Sequence, residues 1–218
     1  MGVRGAGLLG GVVGPLLLLG CASTERESPR AAESPSSTPT RPAPTPTPTP
    51  APEPRRSYLT IPALGLTSVP VVRYVGTPDD AEGTRIQNGG PTASPRGPGG
   101  GEGPGELGNF IVTGHRTSHS APFRDLPELR NGDLVRVRTG KVVREYRITD
   151  TRSTSFRSAR SLAEQAAAVP GRPGAEPTRA MITLSTCATP EDHAQGNYWS
   201  DRFGNPEHRI DKIGVLVG

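Results

Sequence analysis

Residues 22–56 have nothing with which to build a core. The tract contains the string APTPTPTPAPEP and several serines. Each proline locks φ and removes a backbone donor, so the segment is expected to be an extended, solvated polyproline II-like chain. At about 3.1 Å per residue it would reach roughly 110 Å. Such a reach suits a stalk, although an idle disordered tail fits the composition too. The tract splits the 218-residue chain into a short apolar head and a C-terminal part that begins near Tyr58. Only that second part has the pattern of a core-forming sequence, and at roughly 160 residues it is one domain of ordinary size.

The head carries a 13-residue apolar run, Leu8 to Gly20, broken by glycines and Pro15. A membrane-spanning helix needs about 20 apolar residues and a signal-peptide core about 7–15. Arg4 supplies a positive flank, and the run ends Leu18-Leu19-Gly20-Cys21-Ala22-Ser23. This end resembles a bacterial lipobox, which makes Cys21 a lipidation candidate. Residues 1–21 are thus expected to be a signal peptide with lipobox, or a membrane anchor. Residues 22–56 are expected to be a disordered linker and residues 57–218 the working domain. Each of these variants places the domain outside the cytoplasm, tethered to the outer face of the membrane.

The net charge of +4 comes almost wholly from arginine, since Lys141 and Lys212 are the only lysines. The arginines are scattered among acids and aromatics are few, so no basic helix or stacking platform is present and nucleic acid is not an expected partner. Without Cys21, Cys187 has no cysteine to pair with, and a lone thiol in an exported chain is a candidate reactive group.

The domain reads as many short strands with little helix. Leu59 to Val72 suggests edge-type strands broken by Pro62, Gly65 and Pro70. Residues 88–108 read as a long Gly/Pro loop without the Gly-Lys-Ser/Thr ending of a phosphate loop. Asn109–Thr113 is a buried strand closed by Gly114-His115, and Ala121–Leu129 suggests one or two helical turns. Leu134–Arg138 alternates strictly and pairs with Val142–Thr149 through the Thr139-Gly140-Lys141 turn. Ser161-Leu162-Ala163-Glu164 fits a capping box opening a helix that ends before Pro170. Met181–Thr186 is a strand, and Ile213–Val217 is the last one, with Arg209 at its head. A small mostly-β barrel or sandwich follows.

Thr183-Leu184-Ser185-Thr186-Cys187 is a β-branched run that ends in the thiol. A thiol attacks only as thiolate and therefore needs a base or a cation close by. His115 sits in a tight turn after a strand, where its ring can be aimed. Arg209 is strand-borne, and a planar guanidinium there can make two parallel hydrogen bonds to an oxyanion. Each residue alone has a plainer role: a structural cysteine, a surface-turn histidine, an ion-paired arginine. The joint order His, Cys, Arg is what points to catalysis.

These strings resemble the sortases, cysteine transpeptidases of Gram-positive cell walls, and most of all the actinobacterial classes E and F. The strand-ending TLxTC matches Thr183–Cys187, the histidine turn matches Thr113-Gly114-His115-Arg116, and the arginine heading the last strand matches Arg209. The opening IPxLG matches Ile61-Pro62-Ala63-Leu64-Gly65. The resemblance spans about residues 58–218. It implies a mostly-β fold, an eight-stranded β-barrel with one or two short helices. It also implies catalytic roles for Cys187, His115 and Arg209, with no metal or organic cofactor. The implied partners are secreted proteins bearing an LPxTG- or LAxTG-like sorting signal, and a peptidoglycan precursor or other amine acceptor. The 21 residues between Cys187 and Arg209 are a long loop for the family, and they leave Arg202 as a rival arginine.

Three alternatives remain at the level of sequence. An L,D-transpeptidase-like enzyme also places His before Cys, but wants the histidine close upstream. His115 and His119 have the i, i+4 spacing of zinc ligands, though on a turn rather than a helix. A non-enzymatic surface lipoprotein with an inert Cys187 would bind a wall polymer or protein.

Overall fold

The structure is a computed structural model that describes residues 56–218. The apolar head, the Cys21 lipobox and all of the linker before Arg56 lie outside the described residues. Among the described residues no helix is long and apolar enough to cross a membrane.

Eight strands close into a barrel: β1 (Ser57–Ile61), β2 (Leu66–Val75), β3 (Thr92–Arg96), β4 (Gly108–Thr113), β5 (Leu134–Thr139), β6 (Val142–Ser155), β7 (Ala180–Cys187) and β8 (His208–Leu216). Their order around the barrel is β1-β2-β3-β4-β7-β8-β6-β5. Three short helices, α1 (Ala81–Asn88), α2 (Ala159–Ala166) and α3 (Thr189–Ala194), complete the domain. The expected mostly-β, eight-stranded barrel is the fold found.

Strand alternation decides which side chains fill the barrel. Leu59, Ile61, Phe110, Val112, Val135, Val137, Tyr146, Ile148, Ile182 and Leu184 form one buried cluster. Burying a side chain of this size stabilises the fold by about 1.5–3 kcal/mol. The intervening residues of β4 and β7 (Asn109, Ile111, Thr113, and Thr183, Ser185, Cys187) therefore face outward. Most are nonetheless buried, because α2 lies across them through polar contacts. Asn109 Nδ2 donates to the Gln165 carbonyl at 2.9 Å, and Gln165 Nε2 donates to Ser185 Oγ at 3.1 Å and Asp211 Oδ1 at 2.9 Å.

Several elements differ from the sequence-based expectation. The 88–108 loop contains β3, whose Pro95 is tolerated because β3 pairs with β4 at a single position, Ala93↔Thr113. Helix α1 has too few apolar residues to show periodicity, yet it is capped by Asp80, which accepts from Gly83 N at 2.9 Å. Helix α2 starts earlier than the supposed capping box: Ser158 is the cap, and Ser161 Oγ instead accepts from Ser155 N. The 121–129 segment supplies one short 3₁₀ turn, Leu126–Glu128. The last strand begins at His208, five residues before Ile213, and β6 runs on to Ser155 past a bulge near Thr149.

Candidate active site

The site is assembled by strand register. Strands β4 and β7 run parallel with Thr113 opposite Ser185. Two further contacts carry that register past the strand end: Gly114 N donates to the Ser185 carbonyl at 3.1 Å, and Thr186 Oγ donates to the Gly114 carbonyl at 2.7 Å. The next position on β4's side is His115 and on β7's side Cys187. Both have the outward parity of Thr113 and Ser185.

The His115 turn is tightly held. A Cβ on Gly114 would meet Phe123 Cδ2 at 2.8 Å, so only glycine fits there. Phe123 N donates to the His115 carbonyl at 3.0 Å. The ring's Nε2 lies 2.7 Å from Asn88 Oδ1, at the end of α1. An oxygen accepts, so this contact puts the ring's proton on Nε2 in the neutral form. The His119 ring stacks on it, with centroids 4.9 Å apart.

On the other side, β7 and β8 pair with Cys187 directly opposite Arg209. Arg209 Nη1 donates to Cys187 Sγ at 3.3 Å. The guanidinium is 1% exposed, lies 4.3 Å from the Phe156 ring centroid, and its Nε donates to Asp79 Oδ2 at 2.9 Å. Its Nη2 is buried with no protein partner. Arg116 Nη1 adds a second positive charge, 3.4 Å from the Cys187 carbonyl and ion-paired to Glu191.

Burial dominates the electrostatics. It pushes the Cys187 thiol above its ordinary value, against the pull of Arg209 and Arg116, while Asp79 adds to the rise. It pushes His115 below the ordinary imidazole value, helped by His119 and Arg209 and opposed by Asp79. Burial also works against the Arg209 charge, but Asp79, Cys187 and Asp211 outweigh it and the guanidinium stays protonated.

A cavity of about 450 Å³ is lined by the arginine's neighbours Asp79 and Phe156, with Leu162, Gln165, Arg202 and Phe203, but not by Cys187, His115 or Arg209 themselves. A larger one of about 910 Å³ opens near Ser57, Thr139 and the 101–106 loop and contains none of them. Of the two, only the smaller is lined by side chains that touch Arg209.

A sortase-domain family profile matches residues 59–202, about two thirds of the chain. The chain belongs to the sortase family. It is accordingly a transpeptidase of that family. Solved structures agree. The SrtA sortase from Actinomyces oris superposes with a TM-score of 0.56 at 21% identity, covering 76% of this chain and 81% of that one. Sortase E from Streptomyces avermitilis gives 0.54 at 26%, covering 75% and 88%. Sortase E1 from Streptomyces coelicolor, solved with a tripeptide in its active site, gives 0.55 at 23% with the same coverages. No curated protein gives a significant sequence match.

Within this sortase, two of the three residues singled out from sequence, Cys187 and Arg209, are in contact, and His115 stands in the turn after the neighbouring strand β4. Arg209, beyond the end of the profile match, is the arginine that meets the sulfur. Arg202 is exposed and lies over the Phe203 ring, 4.6 Å from its centroid. His208 is held elsewhere, its Nδ1 2.6 Å from Asp192 Oδ1, and His193 packs against Tyr198. Sequence reasoning missed Asp79, Asn88 and Phe156. Asp79-Asp80 looks like an ordinary helix-capping pair, and nothing local marks the first aspartate as the one that turns inward.

Proposed function

We propose that this sortase cleaves an LPxTG- or LAxTG-like C-terminal sorting signal between Thr and Gly, and passes the acyl group to a cell-wall amine. The observation that carries this reading is the Arg209 guanidinium bonded to Cys187 Sγ across the β7–β8 ladder.

The chemistry divides into two transfers. The Cys187 thiolate attacks the threonine carbonyl carbon, and the oxygen becomes an oxyanion. Arg209 supplies the buried cation that stabilises it, with Nη2 as an unpaired donor. As the C–N bond breaks, His115 gives its proton to the departing glycine amine, leaving a thioester on Cys187 and a neutral imidazole. An incoming amine then attacks the thioester carbon and hands its proton to His115. The C–S bond breaks and the thiolate is restored. The raised thiol and lowered imidazole mean that most molecules rest at neutral pH as a neutral pair. The reactive thiolate–imidazolium pair is a minority form.

The 450 Å³ cavity, with Phe156, Leu162 and Phe203 in its lining, provides apolar surface for the signal's leucine end. The working location is extracytoplasmic, consistent with the apolar head and the Pro/Thr tract of the sequence. The test is mass spectrometry of the purified protein after incubation with LPxTG and LAxTG peptides. A thioester adduct on Cys187, absent in Cys187→Ala, is the expected result. Intact peptides and an unmodified thiol would refute the reading.

A further inference from the structure

Asp79 is a buried carboxylate, 5% exposed, in a left-handed backbone conformation with φ +58°. Non-glycine residues adopt that region at a cost and keep it only where the surroundings over-determine it. Here they do. Gln87 Nε2 donates to Oδ1 at 2.6 Å and Arg209 Nε to Oδ2 at 2.9 Å, so each carboxylate oxygen has its own assigned partner. The backbone carbonyl accepts from Asn205 Nδ2 at 3.1 Å and from Thr84 Oγ at 3.3 Å. Gln87 also donates to Thr113 Oγ at 3.0 Å, and the next residue, Asn88, holds the His115 ring.

We propose that Asp79 is a positioning residue for the transpeptidation: it clamps the Nε edge of Arg209, so that one terminal nitrogen faces the sulfur and the other is left free for substrate. A lone buried guanidinium could swing about its long side chain. A carboxylate fixed from α1 removes that freedom before substrate arrives. The same helix thereby sets the arginine through Gln87 and the histidine through Asn88. This inference rests on the catalytic roles proposed for Cys187, His115 and Arg209.

The clamp has an electrostatic signature. The charged groups acting on Cys187 are Arg209 from β8, Arg116 from the turn after β4, and Asp79 itself. Those acting on His115 are His119, Asp79 and Arg209. Asp79 raises both. Removing its charge alone would lower the thiol midpoint, but releasing Arg209 from the sulfur takes away the larger, opposite pull, so an opened clamp raises it.

Asp79→Asn and Asp79→Glu are compared with the wild type in peptide turnover, and in the pH dependence of Cys187 alkylation by a small methanethiosulfonate, which needs no peptide. In Asp79→Asn, kcat is expected to fall about 10²-fold, as for a displaced catalytic group, with a smaller change in KM. Its alkylation midpoint moves to higher pH, because the arginine's pull on the sulfur is lost with the clamp; a midpoint moved to lower pH would mean that Arg209 has stayed in place and overturns the proposal. Asp79→Glu keeps the wild-type midpoint and recovers part of kcat. Wild-type kcat in Asp79→Asn overturns the proposal, as does equal loss in both variants with an unmoved midpoint. Should Asp79→Asn fail to fold, the Glu variant decides, and a midpoint a full pH unit from wild type overturns the clamp. If the wild type cleaves no peptide, the proposed function falls, while the alkylation profiles still report whether Asp79 acts on the sulfur.

Discussion

Cys187 and Arg209 are direct partners across the β7–β8 ladder, and Arg209 Nη1 donates to the Cys187 sulfur at 3.3 Å. Twenty-one residues, helix α3 among them, separate the two in sequence, yet antiparallel pairing leaves no slack between them. The cation is thus set by backbone hydrogen bonds rather than by a flexible loop.

That placement predicts the behaviour of arginine variants. Arg209→Lys keeps a charge but loses the planar fork that spans Asp79 and the sulfur. Its kcat for sorting-signal cleavage should drop about 10²–10³-fold, the scale for losing an oxyanion donor. Arg202→Ala, altering an exposed residue, should stay within a few fold of wild type. Reversal of these two results in steady-state assays would move the role to Arg202.

The pH dependence follows from the two shifts. Cys187 is raised above 9.0 and His115 lowered below 6.5, and burial is the largest cause of each. Alkylation needs only thiolate, so its rate should climb with a midpoint above pH 9. Transpeptidation needs thiolate and imidazolium together, so kcat/KM should trace a bell with its acid limb below pH 6.5 and its alkaline limb above pH 9.0. An alkylation midpoint in the neutral range would contradict the buried, neutral thiol.

The turn that carries His115 depends on a missing methyl group. In Gly114→Ala the new Cβ would press into Phe123, a core residue with no exposed surface. Overpacking of this kind costs about 1–3 kcal/mol. A lowered Tm together with reduced peptide turnover is expected, since the turn and the core move together. Unchanged values of both would mean that the loop yields freely.

Asn88→Ala removes the oxygen that faces His115 Nε2 at 2.7 Å. Asn88 sits on the last turn of α1 and is exposed, so stability should hardly change. Turnover should fall by about fivefold, on the scale of a lost neutral hydrogen bond of about 1 kcal/mol. Near-wild-type kcat in the folded variant would show that the histidine is held by its turn and the His119 stack alone.

Ser158→Ala tests the true start of α2. Loss of its contact to Ser161 N, 3.2 Å in the structure, should cost about 1 kcal/mol. For a domain of this size that is about 2–4 °C in Tm. Thermal melts followed by circular dichroism measure it, and no shift would return the cap to Ser161.

Much of the fold was written locally. The strict alternation of Leu134–Arg138 and the Thr139-Gly140-Lys141 turn marked the β5–β6 hairpin, because period and turn chemistry are properties of neighbouring residues. The strand ending in Cys187 and the His115 turn were legible for the same reason. Strand β3 and helices α1 and α3 were not. TASPR and AEGTRIQN carry little apolar periodicity, and TPEDHA is only six residues long. Their stability comes from what they pack against.

The sequence alone determined the β-rich character of the domain, and it pointed to a boundary at the Pro/Thr tract and to three candidate side chains for acyl transfer. Only the closed barrel decided that the arginine meets the thiol, and that Asp79, 130 positions away in sequence, joins the arginine. Local propensity acts over a turn or a strand, whereas burial of a charge is decided by everything that surrounds it. A carboxylate beside a helix cap is an ordinary surface group until the fold brings a buried guanidinium to it.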